Sequence, residues 1–207
     1  LQSSTAQSSS AWPRSSGRWM IEAMPGPLLV RFVGGASGSW RVDRIEPVRG
    51  DGIPVVDHLE MLEGGDAPVT PSGRWVLRGS TSNERYVTRN EHDALLARQA
   101  SLGRPEATRA ALIPLRKSAS WWELSQDERR AIFEERSRHI ATGLEYLPAV
   151  ARRLHHCREL PDEPFDFLTW FEYGPEHVNA FEELVQRLRS TEEWSYVERE
   201  VDIRLAR

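Results

Sequence analysis

The second half of the chain dictates the order in which its strands and helices follow one another. ALIPLRKS (111–118) is a branched-aliphatic run that reads as a strand. In SQDERRAIFEERSRHIATGLEYLP (125–148), Ile132, Phe133, Ile140, Leu144 and Leu147 recur every three to four residues, the spacing of one helix face. Ser125 with Glu128 forms a capping box at its start, and Pro148 ends it. VARRLHHC (150–157) and FDFLTWFEY (165–173) read as two strands joined by a Pro-Asp-Glu-Pro turn. PEHVNAFEELVQRLRS (175–190) places Phe181, Leu184, Val185 and Leu188 on one helical stripe. WSYVEREVDIRLA (194–206) alternates as a last strand. The order β-α-β-β-α-β is the ferredoxin-like split unit, with helices covering one face of an antiparallel sheet.

The first half holds four shorter strand-like runs: LLVRFV (28–33), WRVDRIEPV (40–48), VVDHLEML (55–62) and RWVLRG (74–79). A Gly-rich turn at Gly34, Gly35 and Gly38 follows the first, and one helix is predicted over 89–100. This reads as a shortened copy of the same unit. The expected fold class is α+β: two ferredoxin-like units, the first truncated, joined in one continuous β-layer as an α/β-barrel-like subunit. The expected division is a Ser-rich tail over 1–27, a truncated unit over 28–105 and a second unit over 106–207.

Composition narrows the function. A net charge of −4 argues against a nucleic-acid partner. A single cysteine, Cys157, leaves no internal disulfide and suits a reducing compartment. No apolar run approaches the ~18 residues of a membrane span, and no signal segment is evident. A cytoplasmic protein without a membrane partner is therefore expected. Of 27 basic residues, Lys117 alone is lysine. Arginine-rich codon usage accounts for the 26 arginines, and most lysines simply stay exposed; yet a compact ammonium does not substitute for a planar guanidinium at a crowded site, which keeps Lys117, beside Trp121 and Trp122, as a candidate.

His139 lies on the edge of the apolar stripe, seven residues after Ile132. Gly143 follows one turn later, where alanine would make a better helix and where glycine lets a flat group approach the backbone. A core histidine bonded to a carboxylate remains open, because buried polar groups find ordinary partners. Past Pro148 the chain doubles back. Val150, Arg152, Leu154 and His156 share one strand face, and Arg153 takes the other and is expected in solvent. An arginine between Val150 and Leu154 either reaches for water or faces an anion.

Long stretches then carry a resemblance. RWVLRGSTSNERYV, the run LGRPEATRAALIPLRKSASWWELSQDERRAIFEERSRHIATGLEYLPAVARRLHHCREL, EPFDFLTWFEY and TEEWSYVEREVDIRL resemble the chlorite dismutase family, most of all its short-subunit, dimeric branch. The resemblance covers residue 29 to the C-terminus and implies haem b in the second unit. It maps the proximal iron ligand onto His139 and the carboxylate that orients the imidazole onto Glu193, with Glu192 adjacent and open. It places Trp121 in the same proximal network, and Tyr86, Val87, Lys117 and Trp122 around the propionates. Leu154, Thr169 and Phe171 match the distal wall, and Arg152 matches the distal arginine. The implied activity converts chlorite, or another small anion, through a ferryl and hypochlorite to chloride and dioxygen, in a homodimer. A haem peroxidase and a coproheme decarboxylase are alternatives within the superfamily, and Arg152 argues against the second.

Overall fold

Hydrophobic alternation sorts the side chains of each strand between two faces, and one of those faces builds a closed barrel. The computed structural model describes residues 28–64, 73–81 and 86–207; the expected tail over 1–27 lies outside the described residues. The strands are β1 (Leu29–Gly35), β2 (Trp40–Arg49), β3 (His58–Glu63), β4 (Gly73–Ser80), β5 (Arg109–Lys117), β6 (Val150–His156), β7 (Phe167–Tyr173) and β8 (Val197–Ala206). They close in the order β1-β3-β2-β8-β5-β7-β6-β4. The second half therefore runs fourth, first, third, second (β8-β5-β7-β6), and the first half repeats that order as β4-β1-β3-β2. What is shortened in the first half is its helical cover. Residues 36–39 alone join β1 to β2, and helix α1 (Arg89–Arg98) comes after β4. Thr88 and Glu91 cap α1 reciprocally. The seam between halves is long at β2–β8 and short at β4–β6, where Ser80 pairs with His156.

The barrel interior is filled from both halves. Phe32, Trp40, Leu59, Leu112, Leu168, Trp170, Ile203 and Leu205 meet there, all buried. Residues one step along the same strands, Ala111, Ile113, Leu115 and Phe171, face outward and pack with Phe181, Leu184, Val185 and Leu188 of helix α5 (Val178–Arg189). Register then aligns three outward rungs: Ala111–Phe171–Arg152, Ile113–Thr169–Leu154 and Leu115–Phe167–His156.

The stretch expected as one helix over 125–148 is broken. Helix α2 (Ala119–Glu123) precedes it, and α3 (Gln126–Arg130) opens on the expected Ser125–Glu128 capping box. A π-helical turn then spans Ala131–Arg136, with Ser137 N donating to Ile132 O at 3.1 Å. Arg138 takes a left-handed conformation (φ 53°, ψ 38°), and α4 (His139–Glu145) starts afresh. The π turn inserts one residue into the helical phase and Arg138 reorients the axis, so His139 leaves the stripe that a straight helix would give it. Glu134 reaches across the break. Its carboxylate accepts from Ile140 N at 2.6 Å and Ala141 N at 3.2 Å, satisfying the first turn of α4. Among the described residues no helix is long and apolar enough to cross a membrane.

Candidate functional site

The outward rungs of β5, β6 and β7 form one wall of a cavity of about 340 Å³, and α1, α2, α4 and α5 supply the others. That size lies within the roughly 300–1,000 Å³ of small-molecule and cofactor pockets. His139 and Arg152 both line it, so the break after Pro148 brings together two side chains that a straight helix would have separated.

His139 is held from behind. Its ring stacks on Phe133 with centroids 4.3 Å apart. Nδ1 lies 2.6 Å from Glu193 Oε2, and Lys117 Nζ donates to Glu193 Oε1 at 2.7 Å. Glu193 and Lys117 are buried. Burial pushes the Glu193 carboxyl up, but attraction to His139 and Lys117 and their hydrogen bonds outweigh it and hold its pKa at about 2. An ionised carboxylate only accepts, so Nδ1 of the imidazole is the donor to it, and Nε2 is the ring nitrogen left over. Lys117 also lies over the Trp121 ring, 4.6 Å from its centroid.

Glu193 is fixed in turn. It belongs to a 3-10 turn (Glu192–Tyr196), and its backbone N donates to Ser137 Oγ at 2.9 Å, back at the helix break. Arg49, on β2 of the other half, donates to Trp194 O at 2.8 Å and Val197 O at 2.7 Å. Glu192 pairs with Arg136 at the surface, 3.1 Å away, so the choice between the two glutamates as partner of His139 falls on Glu193.

Trp121 lines the cavity with an indole Nε1 that is buried without a hydrogen-bond partner among the described residues. Tyr86 and Val87 line it too, with the Tyr86 ring against Trp121 and Phe133; Tyr86 holds a positive φ of 64° while its hydroxyl accepts from Arg129. Leu154, Thr169 and Phe171 stand on the β6–β7 wall beside Arg152. Lys117 lines the cavity too and turns to Glu193, whose carboxylate also holds the imidazole. Trp122 is absent from the lining; its Nε1 donates to Asp166 at 3.2 Å, and Arg158 stacks on its ring at 4.0 Å. Arg153, expected in solvent, is partly buried, pairs with Glu63 and donates to His155 Nε2 at 3.2 Å.

Three lining or supporting residues escaped the sequence reading. Gln99, just past α1, donates to Arg152 O at 2.8 Å. Glu134 and Ser137 brace the break itself. None sits in a motif, because each acts across a turn that helical periodicity conceals.

The chlorite dismutase family profile matches residues 74–207. A crystal structure of a dimeric chlorite dismutase from Nitrobacter winogradskyi is 60% identical, with a TM-score of 0.79, covering 86% of this chain and 99% of that one. A mutant chlorite dismutase from Candidatus Nitrospira defluvii shares the fold at 19% identity, with a TM-score of 0.58 over 87% of this chain and 91% of that one. A chlorite dismutase from Ideonella dechloratans is 34% identical over 87 residues, which is 42% of this chain and 28% of that protein.

Proposed function

The chain belongs to the chlorite dismutase family, and on that premise we propose that it converts chlorite to chloride and dioxygen with a haem b bound in the cavity. The observation that carries this reading is the shared cavity of His139 and Arg152, with the imidazole proton fixed on the side away from it.

The residues present fit such a group. His139 Nε2 is the nitrogen left to bind iron, and Glu193 holds the Nδ1 proton and raises the basicity of the ring. The apolar walls from Ile113, Leu115, Phe133, Ile140 and Phe171 suit a porphyrin face. The orphaned Trp121 N–H is a donor for a polar edge. Bound there, the haem supplies the redox chemistry that breaks and re-forms bonds to oxygen. Arg152 supplies a fixed positive charge in a largely apolar chamber, which attracts chlorite and retains anionic hypochlorite until the reaction completes. Leu154, Thr169 and Phe171 exclude water around it. Residues 106–207 then form the cofactor-binding unit, residues 28–105 complete the barrel, and the chain works as a homodimer, as its 60% identical neighbour is described.

An oxygen electrode tests this on haem-loaded protein given chlorite. Dioxygen evolution is expected. Arg152→Ala should keep haem yet give less oxygen and faster haem bleaching by escaped hypochlorite. His139→Ala should lose the five-coordinate ferric spectrum. A wild-type chain that evolves no oxygen, or an Arg152→Ala chain with an unchanged yield, overturns the assignment.

A further inference from the structure

Gly143 is buried on α4, one turn after His139 and on the same face. A Cβ built there would lie 2.5 Å from Cζ and Nη2 of Arg152 and closer still to Nη1. The Arg152 guanidinium thus rests directly on the helix backbone, in space that any other residue would fill. Arg152 lines the cavity and Gly143 does not, so the guanidinium lies between the glycine and the open space. The other end of the side chain is anchored. Arg152 pairs with Phe171 across the sheet, and its carbonyl accepts from Gln99.

We propose that Gly143 is a positioning residue for Arg152, a notch in α4 that seats the guanidinium against the cavity wall and keeps it out of the space that an anion would take. Its functional consequence rests on the reading above; its geometry does not. A methyl at position 143 closes the notch. With the backbone of Arg152 paired in the sheet, a guanidinium pushed off Gly143 moves towards the cavity it lines, where it stands closer to any anion held there.

The test is a double-mutant cycle on the full chain with Gly143→Ala, Arg152→Ala and both together. Alanine is the better helix former, so with Arg152 removed Gly143→Ala should raise Tm by about 2–4 °C. With Arg152 present, the same change should raise Tm less or lower it. Equal shifts in the two backgrounds overturn the proposal, with or without haem chemistry. On the haem-loaded chain, cyanide should leave ferric iron several-fold more slowly in Gly143→Ala, and Gly143→Ala should make no difference once Arg152 is alanine. Cyanide release that is unchanged or faster in the single variant also overturns it. A chain that takes up no haem defeats the functional reading and leaves the melting comparison to decide the role of Gly143.

Discussion

Replacing Lys117 with methionine removes one of the two partners that hold Glu193 ionised. The ion pair is 2.7 Å long, and its side chains are 3% and 5% exposed, so water can neither screen it nor replace it. Deleting one partner of such a pair costs about 3–5 kcal/mol, because the other charge stays buried. Glu193 keeps His139 as a partner, which places the loss near the lower end, about 3 kcal/mol. For a chain of this size that is a fall in Tm of roughly 6–12 °C. Glu193→Gln should also destabilise, by stranding the lysine. Lys117→Met with Glu193→Gln leaves no unpaired charge between them and should recover at least half of the summed losses. The assay is thermal unfolding by circular dichroism at pH 7 for the four proteins. A Lys117→Met shift below about 2 °C, or a double variant whose loss equals the sum of the single losses, would show that the pair is not an energetic unit.

His155 gives a pH dependence of opposite origin. It is fully buried; burial lowers its pKa to about 4, with Nδ1 donating to Leu168 O and Nε2 accepting from Arg153. The unfolded chain takes up the proton near pH 6.5, so stability is full above that value and falls as pH drops towards 4, by about 2 kcal/mol between pH 7 and pH 5. Urea unfolding of His155→Gln should show a shallower decline over that window; an unchanged decline would place its cause in other groups. Glu134→Ala strips the first turn of α4 of its acceptor and should cost about 1 kcal/mol, or roughly 2–4 °C in Tm. Glu134→Gln, which keeps one acceptor oxygen, should lose less, and equal losses in the two variants would refute the capping role.

Strand faces were legible because period-2 alternation survives any packing. The run Arg152, Leu154, His156 could be read as one face before its partners were known, and the structure seats all three on the cavity. The repeated unit was legible from element order alone, although the sequence carries no visible repeat. The helix over 125–148 was not. Ile132 and His139 lie seven residues apart, which puts them on one face of a straight helix, and the stretch between them has neither proline nor glycine to mark a kink. The left-handed Arg138 has no sequence signal either; the contacts around it, Glu134 with Ile140 N and Ser137 with Glu193 N, join residues on either side of the break. Glu192 and Glu193 were inseparable in sequence because a 3-10 turn rotates about 120° per residue, and its orientation is set by tertiary contacts.

Those contacts explain why the imidazole support draws on both halves of the barrel. His139 lies just after the break, Lys117 at the end of β5, and Glu193 in the turn before β8. Backbone hydrogen bonding within one element fixes none of these positions relative to the others. Ser137 ties the break to the Glu193 turn, and Arg49 ties that turn to β2 through two carbonyls. Arg49 comes from the half that contributes least to the cavity, yet it grips the segment on which the His139 proton depends. The truncated half is therefore more than a wall that completes the sheet. By pairing β2 with β8 and clamping the turn that precedes β8, it holds Glu193 at the distance where one carboxylate serves both the lysine and the histidine.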